Sequence, residues 1–106
     1  MRRTEALERL RHNRAQLSAL GVTHAYLFGS VARDAAAPDS DIDVMVDLDE
    51  GPSGRKPLFS AFDIGGIQYA LTEIFRRRVD VVARRDALAP GRRLRAVAQD
   101  QLVDAF

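Results

Sequence analysis

The sequence contains no cysteine and no tryptophan, and only one of its 16 basic side chains is a lysine. Without cysteine the chain can form neither disulfides nor thiolate metal sites, and its composition gives no sign of an oxidising compartment. No apolar run approaches the ~20 residues that a membrane helix requires. No apolar segment follows the basic residues at its start, which argues against a signal peptide. We therefore expect a cytoplasmic protein that does not enter a membrane.

The length and net charge of the chain limit its domain number and its classes of partner. The 106 residues carry a formal net charge of +1, and they suffice for one domain, residues 1–106, with one modest core. A net charge near zero, without basic patches interleaved with aromatic side chains, argues against direct nucleic-acid binding.

The most informative stretch begins with an apolar run, Ala25–Phe28, that stops at a Gly-Ser pair. This pattern predicts a buried strand that ends in a turn. A short helix over Val31–Ala36 is expected next, with Ser30 capping its first turn. Backbone N–H groups that are free at such a turn suit a phosphate.

The second half of this stretch alternates between acidic and apolar residues. Asp41 and Asp43 should share one face of a strand, while Ile42, Val44 and Val46 face the core. Two carboxylates on one strand face can share a pair of hard cations about 3.5–4 Å apart. A tight turn followed by two solvent-exposed aspartates would have the same sequence pattern without any binding site. The order of strand, Gly-Ser turn, helix and acidic strand favours a nucleotide–metal site.

The remaining chain predicts three more helices and one more strand. An amphipathic helix is expected over Thr4–Leu20, with Thr4 as N-cap and Gly21 ending it. The other predicted elements are a helix over Asp63–Arg78, capped by Asp63 and ended by a basic triplet beside the helix dipole, a strand over Val79–Val82, and a helix over Arg92–Val103.

Two features of these segments leave alternatives open. The stretch Gly51–Pro57 is rich in glycine and proline, and it either covers a nucleotide or is a solvated connection. Asp80 lies inside the apolar strand Val79–Val82, where aspartate is disfavoured. It either faces water from an edge strand or is a third functional carboxylate.

The spacing of Gly29-Ser30 and Asp41-Ile42-Asp43 resembles the signature of the DNA polymerase β-type nucleotidyltransferase superfamily. In a chain this short, Gly-Ser-Val-Ala-Arg and Ser-Asp-Ile-Asp-Val-Met-Val are similar to the minimal nucleotidyltransferase (MNT) domain proteins. This family includes MntA-type antitoxins paired with HEPN-type toxins. One departure is Asp34, which follows Arg33 where many relatives have glycine.

The resemblance implies an α/β (α+β) fold, the minimal polymerase β-type fold, with a small mixed β-sheet packed by helices. It implies that Asp41, Asp43 and Asp80 hold two Mg²⁺ ions, and that Asp80 accepts a proton from the attacking hydroxyl. Gly29 and Ser30 would hold the phosphates of ATP. Arg33 would be either a phosphate contact or a salt bridge that stabilises the site.

Larger relatives carry added domains that bind the acceptor, whereas this sequence ends after the catalytic core. The acceptor is therefore expected on another subunit, which by resemblance is a HEPN ribonuclease toxin that receives AMP on a tyrosine. Two alternatives stay open: an antitoxin that acts by direct binding without transfer, and a small-molecule nucleotidyltransferase of the antibiotic-modifying kind.

Overall fold

A computed structural model describes residues 1–34, 41–49 and 61–106, with side chains from residue 64 onward in the last range. The described strands are β1 (Val22–Phe28), β2 (Ile42–Leu48), β3 (Val79–Ala83) and β4 (Val103–Asp104). They form one mixed sheet in the order β3-β2-β1-β4. The strand β1 runs antiparallel to β2 and to β4, whereas β2 and β3 are parallel.

Six helices belong to the described part of the chain. They are α1 (Arg3–His12), α2 (Arg14–Ala19), α3 (Gly29–Ala32), α4 (Ala61–Phe75), α5 (Arg84–Ala87) and α6 (Arg95–Asp100). None of these helices is long and apolar enough to cross a membrane.

The larger core cluster lies on one face of the sheet, against α1, α2 and α4. Its buried members include Leu10, Leu17, Leu27, Val44 and Leu71. The alternation predicted for β2 is confirmed, because Ile42, Val44 and Val46 are all at most 1% exposed. The sheet therefore directs the aspartates of β2 to the opposite face.

The opposite face is only partly covered. Phe28 and Met45 pack there against Ala87 of α5 and Ala98 of α6. These short elements cover less of the sheet than the helices on the first face do. They leave a cavity beside the last residue of β1 and the first residues of β2.

A polar cluster of Tyr26, Asp47 and Arg84 lies at the other end of this face. The hydroxyl of Tyr26 donates a hydrogen bond to Oδ2 of Asp47 at 2.6 Å. Nη1 of Arg84 lies 3.7 Å from Oδ1 of Asp47, and its guanidinium lies 5.7 Å from the centre of the Tyr26 ring. Burial and the carboxylate of Asp47 raise the pKa of Tyr26 to about 12.

The first predicted helix is two helices, and its predicted N-cap is wrong. Thr4 lies inside α1, whose N-cap position is Arg2. The break falls at Asn13, whose Nδ2 donates to the carbonyl of Arg9 at 2.8 Å. Asparagine side chains compete with the helical hydrogen bonds in this way. The predicted end is confirmed, because Gly21 has φ +97° directly after the C-cap of α2.

The predicted bounds of α4 are also corrected. The helix already includes Ala61, so Asp63 lies within it and is not its N-cap. It ends at Phe75, because Arg76 adopts the left-handed conformation with φ +53°. The basic triplet therefore lies beyond the last turn. A cation from α1 lies at this end, since Nη1 of Arg9 donates a hydrogen bond to the Phe75 carbonyl at 3.2 Å.

The last predicted helix is much shorter than expected. Only Arg95–Asp100 is helical, because Val103 and Asp104 pair with β1 as the edge strand β4. Nε of Arg11 donates a hydrogen bond to the carbonyl of Ala105 at 2.7 Å, which fixes this strand to α1.

The stretch Gly51–Pro57, predicted either to cover a nucleotide or to be a solvated connection, lies outside the described residues.

Candidate active site

The turn that ends β1 requires glycine for two reasons. Gly29 has φ +72°, a conformation that residues with a Cβ rarely adopt. A Cβ built there would overlap Oδ2 of Asp43 and lie 3.1 Å from its Cγ. The glycine therefore brings the first turn of α3 directly against the carboxylate of Asp43.

Ser30 does not cap that turn. The short helix begins at Gly29, its N-cap position is Phe28, and no side chain caps it. Ser30 is half-buried one residue inside the helix. The helix predicted over Val31–Ala36 thus starts two residues earlier and ends at Ala32, because Arg33 is its C-cap and Asp34 has a positive φ. The last two predicted residues lie outside the described part.

Asp43 and Asp80 face each other across parallel strands. They are register partners on β2 and β3, so their side chains share a face of the sheet. The pKa of Asp43 is raised, first by burial, then by the charges of Asp80 and Asp41 and by a hydrogen bond to Asp80. The charge of Arg33 acts in the opposite direction. Such a pair is a site where bound cations would relieve repulsion between the carboxylates.

Asp41 lies beside this pair rather than in it. It is half-buried immediately before β2, and its charge reaches Asp43. Within the described ranges, no three histidine or carboxylate side chains converge closely enough to hold a metal ion. The Asp43–Asp80 pair supplies the hard oxygen ligands that Mg²⁺ prefers. The fit to that ion therefore rests on two converging carboxylates, with the third nearby.

A cavity of about 760 Å³ opens beside the two acids. It is large enough for a nucleotide-sized ligand. Its polar and charged lining consists of Gly29, Arg33, Asp43, Gln68, Asp80 and Arg93, and its apolar lining consists of Phe28, Val81, Val82, Leu94 and Val97.

Arg33 reaches this cavity without a salt bridge to any residue that the structure describes. Its charge still lowers the pKa of Asp43, so a role in stabilising the site and a phosphate contact both stay predictions. The phosphate-contact interpretation agrees with a guanidinium that lines the cavity.

Two lining residues have no counterpart in the sequence analysis. Nε2 of Gln68 donates to the carbonyl of Val79 at 3.2 Å, which ties α4 to the residue before Asp80. Arg93 comes from the connection between α5 and α6. Neither residue belongs to a local sequence motif, so only their proximity in the tertiary structure indicates that they belong to the site.

Asp34 has a structural role at the exit of α3. It adopts φ +54°, which explains why glycine is suited to this position. Its Oδ1 accepts a hydrogen bond from the backbone N–H of Arg3 at 2.8 Å, and Nη1 of Arg3 donates to the carbonyl of Ala32 at 3.3 Å. The start of α1 is thereby fixed to the end of the helix that carries Gly29.

Comparisons with known proteins agree with this geometry. A family model described as a nucleotidyltransferase domain matches residues 7–101. Over 62 residues the chain is 37% identical to a candidate protein adenylyltransferase of Methanocaldococcus jannaschii. That match covers 58% of the chain and 59% of the relative, so the chain spans only part of its length.

Solved structures extend the likeness to the whole fold. A candidate minimal nucleotidyltransferase matches with a TM-score of 0.72 and 31% identity, over 97% of this chain and 95% of that chain. A toxin–antitoxin structure with AMP-PNP matches with a TM-score of 0.62 and 18% identity, over 100% of this chain and 73% of that chain. At the latter identity the likeness is one of fold. The predicted fold class and family resemblance are confirmed, and the chain belongs to the nucleotidyltransferase domain family.

Proposed function

We propose that this protein is an antitoxin that transfers AMP from ATP to a tyrosine of a HEPN-type ribonuclease toxin and requires two Mg²⁺ ions. The observation that carries the proposal is the Asp43–Asp80 pair, which lies beside Gly29 in one cavity. The adenylyltransferase name of the archaeal relative and the AMP-PNP of the toxin–antitoxin structure support ATP and a toxin acceptor. The reaction is placed in the cytoplasm.

The roles of the residues follow from the needs of nucleotidyl transfer. Gly29, Ser30 and Arg33 hold the phosphates of ATP, so that pyrophosphate can leave in line with the attacking oxygen. Asp41, Asp43 and Asp80 hold the Mg²⁺ ions. When bound, these ions neutralise charge on the attacking and departing oxygens.

The proton transfer is assigned to Asp80. The tyrosine oxygen of the acceptor forms a bond to the α-phosphorus, and the bond from that phosphorus to the oxygen bridging to the β-phosphate breaks. The proton of the tyrosine passes to the carboxylate of Asp80. Asp80 suits this role because it is exposed, whereas its partner Asp43 is half-buried. AMP–tyrosine and pyrophosphate are the products.

The test is label transfer. The protein, Mg²⁺ and ATP labelled at the α-phosphate are mixed with the product of the adjacent reading frame. We expect label on a tyrosine of that partner, and its loss in Asp41→Asn and Asp43→Asn. Asp100→Asn is the matched control, because Asp100 is exposed on α6 and lies outside the cavity lining.

Two outcomes would refute parts of the proposal. A partner that is bound and silenced without label would leave an antitoxin that acts by binding. Label on an aminoglycoside added to the same mixture, with none on protein, would assign the alternative acceptor class.

A further inference from the structure

Arg93 is the second guanidinium that lines the cavity with the two acids. It lies on the connection between α5 and α6, an element separate from α3, which leads into Arg33. Its side chain is exposed, and it makes no hydrogen bond or ion pair with the described part of the chain. An exposed arginine without a partner contributes little to folding, so the structure offers no stabilising role for it.

The neighbouring arginine differs in its surroundings. A smaller cavity of about 360 Å³ lies next to the first, and both Arg92 and Arg93 line it. Only Arg93 also lines the larger cavity that contains Asp43 and Asp80. The two arginines are therefore adjacent in sequence and equally classed as exposed, but of the two only Arg93 lines the cavity that contains the acids.

The chemistry of a nucleotidyltransferase explains a guanidinium at this position. A nucleoside triphosphate and three aspartates carry more negative charge than two divalent cations neutralise, so further positive groups are needed. A guanidinium presents planar paired donors that match phosphate oxygens. Arg33 supplies one such group from the end of α3, and Arg93 reaches the same space from the other element.

We propose that Arg93 binds the triphosphate of the nucleotide substrate, so that α3 and the α5–α6 connection hold the phosphates from two separate elements. The proposal rests on nucleotide binding by the family fold and not on the identity of the acceptor. It assigns Arg93 a substrate-binding role that no local motif indicates.

The test is equilibrium titration of the protein with ATP and with AMP, in the presence of Mg²⁺. Charge-assisted hydrogen bonds contribute enough that Arg93→Ala should weaken ATP binding by about tenfold to a hundredfold. AMP binding should change by less than about threefold, since AMP lacks the β- and γ-phosphates. Arg93→Lys should lose less than Arg93→Ala because it keeps the charge without the paired donors.

Arg92→Ala is the matched control and should leave the affinity for ATP unchanged. The thermal midpoint of each variant verifies that it is folded. Equal ATP affinities for Arg93→Ala and Arg92→Ala would overturn the proposal, and so would equal losses for ATP and AMP. Because no acceptor is added, these results are independent of whether label transfer to a toxin succeeds.

Discussion

Asp43 and Asp80 are register partners on parallel strands, and their carboxylates interact across the two strands. Burial, and then the charges of Asp80 and Asp41, raise the pKa of Asp43 and disfavour its ionised form in the folded protein. The site is therefore held in a state that bound cations would stabilise, at a cost in folding stability without them.

Asp43→Asn is expected to stabilise the protein at neutral pH and to abolish nucleotidyl transfer. Asp43 has a raised pKa in the folded state, so the wild type loses stability as pH rises from the unfolded pKa, near 3.8, through the raised folded value. The variant lacks this loss, and its advantage should disappear below about pH 4. Chemical denaturation from about pH 3.5 to about pH 8 measures the difference in unfolding free energy between the variant and the wild type.

Asp100→Asn serves as the control for this series, because it removes one exposed carboxylate outside the cavity. An Asp43→Asn variant less stable than the wild type at pH 7 would contradict the interpretation of the raised pKa. Mg²⁺ should raise the thermal midpoint of the wild type and leave that of Asp43→Asn nearly unchanged, because a ligand stabilises only the state that binds it.

Gly29→Ala should be more damaging than Gly91→Ala. Both glycines have positive φ, +72° and +81°, and each alanine should cost about 1–2 kcal/mol in backbone strain. A Cβ at Gly91 has nothing within 4 Å, whereas one at Gly29 overlaps Asp43. Denaturant unfolding and nucleotide titration separate the two costs, and only Gly29→Ala should lose nucleotide binding. Equal binding by both variants would show that Asp43 moves aside freely.

Substitutions of Asp34 should separate backbone strain from the hydrogen bond to Arg3. Asp34→Ala loses the bond to the N-terminus of α1 and keeps a strained φ of +54°, so a loss of about 1–3 kcal/mol is expected. Asp34→Gly loses the bond but relieves the strain, and it should be intermediate. Asp34→Asn keeps an acceptor and tolerates this φ, so it should be closest to the wild type. Urea unfolding measures the free energy of unfolding of each variant. An Asp34→Ala variant more stable than Asp34→Gly would contradict this account.

Tyr26→Phe should destabilise the protein by about 1–2 kcal/mol at pH 8, because it removes the 2.6 Å hydrogen bond to Asp47. The pKa of Tyr26 is raised to about 12 from 10.0. Its contribution is therefore present below pH 10 and is lost as pH rises toward 12. The stabilities of wild type and Tyr26→Phe should converge across that window. Tyr69→Phe is the control, because Tyr69 is 70% exposed, and a constant gap between wild type and Tyr26→Phe would refute the assignment.

The sequence by itself determined the parts of this protein that depend on local periodicity. The alternation in β2 placed Ile42, Val44 and Val46 in the core and Asp43 on the other face. In α4 the buried residues Ile67, Leu71 and Phe75 recur every four residues, which is the spacing of one helix face. The glycine at the end of β1 is required by a positive φ. In the strand and the helix the side-chain direction repeats with the backbone, so a few neighbouring residues suffice to predict it. The glycine turn is also local, because it depends on the φ of one residue.

Only the tertiary structure decided how distant residues meet. The parallel pairing of β2 with β3 brings Asp80 to Asp43, and the packing of α1 places Arg9 at the end of α4 and Arg3 at the end of α3. The capping groups predicted from neighbours were wrong at Thr4 and Ser30, since these helix ends use other contacts or none. Arg93 reaches the cavity only because the α5–α6 connection folds back over the sheet. Such contacts join residues far apart in sequence, and no local period encodes them.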